Sequence, residues 1–370
     1  MTQTVFSDTP IVTIDTGALG RNYQQLCKNS GTAQTAAVVK ADAYGLGVKH
    51  IAPVLAKAGC KKFFVAAAQE GFALRAILPD GDIYVLNGLA DKAAADYAAH
   101  KLIPCLISLE QIRQWQNYCR KKGASPAALF IDTGFNRLGL PPEELLDMAN
   151  LPDLFDGWTL NLIMSHLACS ELEHPQNRAQ LEQFQHLLTI LPPAPASLAN
   201  SGGIALGRDF HFQLTRPGIA LYGGAPDGQP HKALESVVKL EAPILQIRQL
   251  SVGDTIGYGA TFSAPHEMQI ALISIGYGDG LLRQFGMRPS GGIWLAINGQ
   301  PAPIVGRISM DSLAVDITNL THLPSIGTMV QIFGKDNPID QLATQSGTLA
   351  YELLTGLLIG LGNRTKAIYI

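Results

Sequence analysis

The chain has 370 residues, with 27 basic and 30 acidic side chains and a formal net charge of −3 at pH 7. This balance argues against the strongly basic surface with which proteins bind nucleic-acid phosphates. Hydrophobic residues make up 47% and charged residues 15%, so we expect a folded protein rather than a disordered or collagen-like one. At ~150 residues per domain, the length suits two or three domains, or one α/β barrel with an appended domain.

We expect a cytoplasmic protein that does not enter a membrane. The first residues, MTQTVFSDTPIVTID, lack the basic and continuous apolar regions of a secretory signal peptide. Apolar runs such as 269–275 are much shorter than the roughly 20 residues that cross a bilayer. Five cysteines without CxxC spacing indicate reduced thiols rather than disulfides or a zinc site, and we predict no metal ion.

Short β-branched apolar runs alternate with longer segments of helical periodicity from about residue 35 to residue 216, which is typical of repeated βα units. We predict eight strands: Thr35–Val39, Lys62–Ala66, Ile83–Leu86, Ile103–Ile107, Leu129–Asp132, Leu160–Ser165, Ser197–Ala199 and Phe212–Thr215. Eight such units over about 200 residues favour a closed (β/α)8 barrel. An open doubly wound sheet is the second interpretation.

The helices between these strands carry their own end signals. Ser108 is placed to cap the orphan N–H groups of a helix that ends at Gly123. A second helix opens near Pro141, with acidic residues in its first turn where the helix dipole favours anions. A third is predicted from about Gln176 to Leu191.

After about residue 232 the pattern changes to strand-like runs separated by glycine and asparagine, which indicates a β domain. Asn298-Gly299 lies between the runs Trp294–Ile297 and Ala302–Val305 and predicts a hairpin turn in which both central residues have positive φ. We therefore predict an α/β protein, a (β/α)8 TIM-like barrel followed by a mostly β C-terminal domain. Its predicted parts are an N-terminal extension that joins the β domain (1–10), the barrel (11–235) and the C-terminal domain (236–370).

Polar side chains follow several of the predicted strands, and in a βα barrel functional residues stand at these strand ends. Five of the eight strands lead to such residues: Lys40, Arg137, Ser165-His166, Asn200-Ser201 and Arg216. Lys40 follows small and β-branched residues, so its amine is expected at the barrel rim. Burial and a neighbouring cation would there favour the neutral amine that forms Schiff bases. A solvated lysine at a helix N-terminus is the alternative.

The turns after strands seven and eight, residues 200–203 and 217–219, supply hydroxyl and backbone N–H groups that suit an anion. Phosphate sites recur at this place in barrels, although each glycine cluster alone also fits an ordinary tight turn. A phosphate cradle opposite an amine on strand one suggests pyridoxal phosphate, whose aldehyde and phosphate lie on different sides of the ring.

The sequence resembles the alanine racemases, pyridoxal-phosphate enzymes built from a barrel and a β domain, over essentially its whole length. Eight motifs carry the resemblance, in the expected order: AVVKADAYGLG, DTGFNRLG, ANSGG, RPGIALYG, IGYGATF, SIGYGDG, GRISMDS and AYELLTGL. The resemblance implies an isomerase that interconverts L-alanine and D-alanine and supplies D-alanine for peptidoglycan. It also implies a homodimer whose active sites are shared between subunits.

The resemblance assigns two catalytic residues. Lys40 would hold the cofactor aldehyde and act as acid and base on one face of the substrate α-carbon, and Tyr258 of the partner subunit would act on the other. Inversion needs a proton removed from one side and delivered on the other, which one fixed group cannot easily do. Arg216 would face the pyridine nitrogen and, because guanidinium keeps its proton, leave that nitrogen unprotonated. His166 would bond this arginine.

The remaining positions follow from the same resemblance. They are cofactor contacts at Tyr44, Leu86, His166, Asn200, Ser201, Gly218, Ile219 and Tyr351, substrate contacts at Arg137 and Met310, and an entrance lined by Tyr277, Asp311 and Tyr351. These entrance residues would keep the pocket short, which favours a methyl side chain.

One position departs from the family. Many members carry a carbamylated lysine two residues before the aspartate of DTG, where its negative charge orients the substrate arginine. Here that position is Phe130. We predict no modified lysine in this strand, so that a bound chloride, another side chain or nothing holds Arg137.

Three alternatives remain. The first is a racemase of broader specificity that acts on serine or larger side chains. The sequence does not distinguish it from an alanine racemase, because one methylene changes the discrimination between two substrates by only ~1 to 3 kcal/mol. A barrel-type pyridoxal-phosphate decarboxylase needs an acidic partner for the ring nitrogen and a cysteine acid near the C-terminal domain. This chain instead offers Arg216 and has no cysteine after Cys169. A non-catalytic, single-barrel cofactor carrier would lack residues 240–370.

Overall fold

The computed structural model of the chain describes residues 8–148, 151–229, 233–286 and 292–370. Two compact units are distinguished. The first, here called the barrel unit, spans Gly20–Leu221. The second, called the β unit, combines the described residues up to Leu19 with those from Tyr222 onward. Residues 1–7 of the predicted N-terminal extension lie outside the described residues.

The barrel unit alternates parallel strands with helices, and all eight predicted strands are confirmed, the first as two short pieces. The strands are Gln34–Thr35, Ala37–Val38, Lys62–Val65, Asp82–Val85, Leu102–Leu106, Pro126–Phe130, Thr159–Met164, Ala196–Ser197 and Leu214–Thr215. The helices in this part of the chain are Thr16–Ser30, Lys40–Tyr44, Val48–Lys57, Ala68–Ile77, Ala94–Ala99, Leu109–Lys122, Pro142–Met148, Pro175–Leu188 and Ser201–Leu206. Short 3-10 turns lie at Pro152–Phe155, Arg208–Phe210 and Ile219–Tyr222.

The strands of the barrel unit form a ring. Among the described residues, seven strands pair in parallel in chain order, and the last strand, Leu214–Thr215, pairs with Gln34–Thr35. On its other side, the Arg216 backbone N–H donates to the Ala199 carbonyl at 2.8 Å. Closure places the carboxyl ends of all strands at one end of the barrel, where the predicted site residues follow them.

Local sequence explains these elements. The strand Leu102–Leu106 is buried at every position, as expected for a parallel strand covered on both faces. The helix Leu109–Lys122 begins where predicted, since the Ser108 hydroxyl accepts a hydrogen bond from the Gln111 N–H at 3.3 Å. It ends at Gly123, whose φ of +106° suits glycine. The predicted cap and stop are confirmed.

The β unit is mostly antiparallel, which confirms the predicted fold class. Its described strands are Ile11–Ile14, Val238–Leu250, Thr255–Ile256, Phe262–Ser263, Met268–Ile273, Trp294–Ile297, Gln300–Val305, Leu313–Asp316, Met329–Phe333 and Lys366–Tyr369. Its described helices are Ile339–Ser346 and Ala350–Leu361, with 3-10 turns at Tyr258–Ala260, Tyr277–Asp279 and Arg283–Gly286. No helix in the described ranges has the length and apolar character needed to cross a membrane.

The long strand Val238–Leu250 organises this unit. Its first half pairs with Met329–Phe333 and its second half with Met268–Ile273. Residues 11–235 are predicted from the sequence to form the barrel, whereas Ile11–Ile14 pairs with both Val238–Leu250 and Lys366–Tyr369. Strands on both sides therefore satisfy its backbone groups within the β unit.

The predicted hairpin at Asn298-Gly299 is confirmed. The strands Trp294–Ile297 and Gln300–Val305 are antiparallel, with Ile297 opposite Gln300. Asn298 has φ +49° and Gly299 has φ +76°, which are the signs that a two-residue turn between right-twisted strands requires.

Candidate active site

Lys40 begins a turn of unusual backbone conformation just after the first barrel strand. Residues 41–44 all have φ between +53° and +57°, the left-handed region, which costs an L-residue roughly 1–2 kcal/mol. Such strain persists only where the surrounding structure holds it in place, and it is concentrated at functional sites. The turn holds Lys40 and the buried Tyr44 at the carboxyl end of the strand.

Glu70, which was not predicted from the sequence as a site residue, supports this turn. Its Oε1 accepts a hydrogen bond from the Ala41 N–H at 2.7 Å, and its Oε2 accepts from the N–H groups of Ala66 at 2.6 Å and Ala67 at 3.1 Å. One carboxylate thus joins the start of the helix Ala68–Ile77 to the lysine turn. A glutamate in a first helical turn was the available signal, but its second partner is distant in sequence.

The Lys40 amine lies in an electropositive environment. Burial lowers the pKa of Lys40 below its ordinary value, the Arg137 guanidinium lowers this pKa further, and Glu70 opposes both effects. Burial and a neighbouring cation are the two causes expected from the sequence, and they favour the neutral amine, which is the nucleophilic form.

His166 follows the strand Thr159–Met164 and is electrically neutral at pH 7. Burial and the charges of Arg216, Arg137 and Lys40 lower the pKa of His166 to about 3. Its ring packs against the Phe135 ring, with 5.5 Å between centroids. The imidazole therefore adds no positive charge beside the Arg216 and Arg137 guanidinium groups and the Lys40 amine.

Arg216 is buried, with 3% of its surface exposed. Its guanidinium donates to the Ser165 carbonyl at 2.5 Å and to the Ser197 hydroxyl. The resemblance implies a further bond to His166; the guanidinium hydrogen bonds within the described residues go to Ser165, Ser197 and, at 3.5 Å, the Leu198 carbonyl. Burial lowers the pKa of Arg216 to about 10, so the side chain is still a cation at pH 7.

The turns after strands seven and eight come together with Tyr44. The Ser201 hydroxyl accepts from the Gly218 N–H at 3.0 Å and the Ala220 N–H at 3.4 Å. A Cβ at Gly218 would collide with the Tyr44 hydroxyl, so glycine is required for this close approach. Asn200 caps the helix Ser201–Leu206 through the Gly203 N–H at 2.9 Å. Two hydroxyl groups and a turn of backbone thus converge, as a phosphate site needs.

Two further predicted cofactor contacts lie on the same barrel. Leu86 directly follows the strand Asp82–Val85, is half-buried, and donates its N–H to the Val65 carbonyl at 2.9 Å. Ile219 is fully buried at the start of a 3-10 turn. Both positions are apolar, which suits contact with a flat ring or with the backbone of the cradle.

Arg137 lies on a tightly held loop after the strand Pro126–Phe130. The Asp132 carboxylate accepts from the N–H groups of Gly134 and Phe135, both at 2.8 Å. The exposed Arg137 guanidinium lies over the Phe135 ring, with its Cζ 4.1 Å from the centroid. Phe130, which stands at the departure from the family, is buried at the end of the strand.

The other predicted residues belong to the β unit. Tyr258 lies at the tip of a hairpin between Thr255–Ile256 and Phe262–Ser263 and is 69% exposed. Gly257 and Gly259 beside it have φ of +72° and +76°, so this tip depends on glycine. Tyr351 is the second residue of the helix Ala350–Leu361.

Two loops bring the predicted entrance residues Tyr277 and Asp311 together with Met310, a predicted substrate contact. The Tyr277 N–H donates to the Ser309 carbonyl at 3.1 Å, and the Gly278 N–H donates to the Met310 carbonyl at 2.7 Å. The Asp311 carbonyl accepts from Arg364 at 2.7 Å. Tyr277, Met310 and Asp311 are all exposed within this unit.

A barrel with a strand-one lysine of lowered pKa, a buried arginine on strand eight and an anion cradle has the donor set that pyridoxal phosphate requires. The Tyr44 and Ser201 hydroxyl groups suit its phosphate, the Arg216 guanidinium suits its ring, and the Lys40 amine suits its aldehyde. Fold and residues together define the barrel class of pyridoxal-phosphate enzymes.

Comparison with known proteins narrows this class. Residues 14–226 match the model of the alanine racemase N-terminal domain and residues 237–369 that of the alanine racemase C-terminal domain. The chain is 45% identical to a catabolic alanine racemase of Agrobacterium fabrum over 97% of this chain and 92% of that protein. It is 41% identical to an alanine racemase of Rhizobium meliloti over 97% and 96% of the two chains.

A solved structure also resembles this chain. Alanine racemase from Bartonella henselae, crystallised with covalently bound pyridoxal phosphate, superposes with a TM-score of 0.92 at 42% identity, covering 98% of this chain and 99% of that one. The chain belongs to the alanine racemase family.

Proposed function

We propose that this chain is a pyridoxal-phosphate-dependent isomerase that interconverts L-alanine and D-alanine. Its family membership over nearly the whole length supports the reaction. The observation that carries the proposal is the Lys40 amine, whose pKa is lowered by burial and by Arg137, in the unit that also holds the anion cradle.

The cofactor, when bound, supplies an electron sink that acidifies the hydrogen on the substrate α-carbon. Lys40 would hold its aldehyde. The phosphate would be held by Tyr44, Asn200, Ser201, Gly218, Ile219 and Tyr351, while Leu86 would pack near the ring and His166 would lie beside it.

Arg216 would lie at the ring nitrogen and decide the reaction type. A guanidinium donates hydrogen bonds and does not give up its proton near neutral pH, so Arg216 leaves that nitrogen without a proton. Beside this guanidinium the cofactor would supply a weaker electron sink, and Arg216 would thereby favour return of the proton to the α-carbon. Racemisation is favoured over transamination for this reason.

Lys40 and Tyr258 would exchange the α-proton on opposite faces of the substrate. Tyr258 lies exposed at a hairpin tip, which suits a residue that acts in the site of a second subunit. We therefore propose a homodimer with shared active sites, in which Arg137 and Met310 hold the substrate carboxylate. Tyr277, Asp311 and Tyr351 would line the entrance.

We also propose that the protein acts in the cytoplasm and supplies D-alanine for peptidoglycan. Its five cysteines are free, which fits a reducing compartment. A cell-wall precursor supply would use this compartment, where amino acids are available as substrates.

Turnover in deuterium oxide tests the reaction. Incubation with either enantiomer of alanine should place deuterium on the α-carbon while the enantiomer ratio moves to one. On a panel of single-enantiomer amino acids, alanine should react fastest. Deuterium uptake without inversion, or faster turnover of serine than of alanine, would contradict the proposal.

Lys40→Ala should abolish both this turnover and the visible absorbance of the bound cofactor, because it removes the amine that holds the aldehyde. Lys57→Ala is the matched control, since Lys57 lies exposed at the end of a helix, and it should retain both. An undiminished cofactor band in Lys40→Ala would overturn the assignment of Lys40.

A further inference from the structure

Arg137, Phe135 and His166 form a stack of three side chains in the barrel unit, here called the Arg137 stack. The Arg137 Cζ lies 4.1 Å from the Phe135 ring centroid, well within the distance of about 6 Å at which a cation is attracted to the face of an aromatic ring. The same ring also packs on the His166 ring, with 5.5 Å between centroids and an interplanar angle of 53°. The ring thus connects the loop arginine to a residue at a strand end.

Phe135 holds Arg137 without using its hydrogen-bond donors. Within the described ranges, the Arg137 guanidinium makes no ion pair and no hydrogen bond to the protein. The attraction of a ring acts on the charge and leaves the in-plane N–H groups available, whereas a bidentate carboxylate partner would occupy two of them. The stack therefore orients a charged fork whose donors remain ready for a carboxylate ligand.

The position of Phe135 is itself well determined. The Asp132 carboxylate fixes the backbone N–H groups of Gly134 and Phe135, both at 2.8 Å. The Gln176 side chain donates to the Gly134 carbonyl at 3.2 Å. The loop backbone is thus held on both sides of the residue that carries the ring.

The charge of His166 matters for the same arrangement. A protonated imidazole would place a second cation against the ring and repel Arg137. Burial and the surrounding cations keep His166 neutral at pH 7, so Arg137 is the one cation in the stack. Phe130, at the end of the preceding strand, contributes no charge of its own.

We propose that Phe135 is a positioning residue. Its ring face orients the Arg137 guanidinium in place of an acidic side chain. The inference rests on the proposed function, in which Arg137 holds the substrate carboxylate. Substrate binding then depends on the negative face of a phenylalanine ring, which acts through Arg137.

Substitution of the ring tests this role in the holoenzyme. Phe135→Leu should raise the KM for L-alanine about 3- to 30-fold with a smaller change in kcat, while Phe135→Tyr, which keeps the ring face, should stay within about twofold. Phe155→Leu is the matched control, because Phe155 packs on Trp158 at 5.8 Å rather than on a cation. Equal KM values for Phe135→Leu and Phe135→Tyr would overturn the proposal.

Calorimetric binding of two fragments of alanine supplies a readout besides activity. Propionate keeps the carboxylate and lacks the amine, whereas ethylamine keeps the amine and lacks the carboxylate. Phe135→Leu should weaken propionate binding to the holoenzyme by the same factor as KM and leave ethylamine binding unchanged. Equal loss for both fragments would indicate general damage to the site and would overturn the proposal.

A graded series separates ring electrostatics from ring packing. Progressive fluorination of Phe135 withdraws charge from the ring face at nearly constant shape, so the propionate Kd should rise with each fluorine. A propionate Kd that stays constant across the fluorinated variants would overturn the inference. Arg137→Ala distinguishes the two proposals: unchanged propionate binding in that variant contradicts the carboxylate role of Arg137, whereas a loss there with no loss in Phe135→Leu contradicts only the role of Phe135.

Discussion

Basic side chains gather around His166 in the barrel unit. Lys40, Arg137 and Arg216 all act on the pKa of His166, while Glu70 acts on Lys40 from the opposite direction. A cation removed from water without a partner costs folding free energy. Such a cost is typical of a site that awaits an anionic ligand, and both a phosphate and a substrate carboxylate would supply the missing charge.

His166 makes this cost measurable through pH. Its pKa is about 3 in the folded protein and ~6.5 in an unfolded chain. The unfolded state therefore takes up a proton as the pH falls through 6.5, and the folded state does not until the pH nears 3. The stability that a neutral His166 contributes is complete above pH 6.5 and is lost progressively below it. We expect a loss of about 2 kcal/mol at pH 5 from this group.

Urea unfolding at pH 8 and pH 5 checks the expectation. His166→Gln should lose less stability between the two pH values than the unsubstituted protein, by about 2 kcal/mol. His322→Gln, a change at an exposed histidine of the β unit, should keep the original pH dependence. Identical pH dependence in all three proteins would show that His166 is not held neutral.

Two short elements of the barrel unit carry the chemistry, and both are held by backbone contacts. The turn 41–44 keeps a left-handed conformation with the help of the Glu70 carboxylate. The loop after Phe130 returns to its own strand, where the Asp132 N–H donates to the Leu140 carbonyl at 2.8 Å and the Leu140 N–H donates to the Phe130 carbonyl at 2.8 Å. Arg137 is therefore presented by a closed loop of fixed geometry.

Gly139 is the residue on which closure of this loop depends. A Cβ there would lie 2.7 Å from the Asp132 nitrogen and 2.8 Å from the Ile131 carbonyl carbon, and the residue has φ +128°. Because both neighbours are backbone, Gly139→Ala should open the loop, destabilise the protein by about 1–3 kcal/mol beyond the conformational strain, and raise the KM for alanine. Thermal unfolding and initial rates measure the two effects.

Gly123→Ala is the matched control for this change. Gly123 also has a positive φ, +106°, but a Cβ there meets nothing within 4 Å. Gly123→Ala should therefore lower the stability only by the conformational strain, and its KM for alanine should be unchanged. If Gly139→Ala and Gly123→Ala lose equal stability and both keep the original KM, a Cβ at position 139 does not collide with the loop backbone.

The whole molecule is expected to work as a pair of chains. Lys40 belongs to the barrel unit and Tyr258 to the β unit, and the proposed mechanism takes one from each subunit. A dimer that combines Lys40→Ala in one chain with Tyr258→Phe in the other has one site with both changes and one site with neither. It should show about half the activity of the unsubstituted dimer, as follows from the two-fold symmetry of the sites.

Differently tagged chains, co-expressed and purified through both tags, provide that mixed dimer. Each homodimer of a single variant serves as the control and should be almost inactive. A mixed dimer as inactive as the two homodimers would mean that both groups act within one chain.

Elements with local causes were predictable from the sequence alone. The Ser108 cap, the stop at Gly123 and the turn at Asn298-Gly299 depend on residues a few positions apart, and hydrophobic periodicity specified the alternation of strands and helices. The motifs also identified the residue types at the strand ends, because an amine, a guanidinium and glycine-rich turns have few uses in such places.

Only the tertiary structure decided which groups these residues meet. Glu70 reaches Ala41 across 29 positions of sequence. Arg216 bonds Ser165 and Ser197, and a phenylalanine ring rather than an acid holds Arg137. Hydrogen bonds and cation–ring attraction act over a few ångströms between segments that closure of the barrel brings together. A motif specifies the residue type, but the folded chain determines its partner.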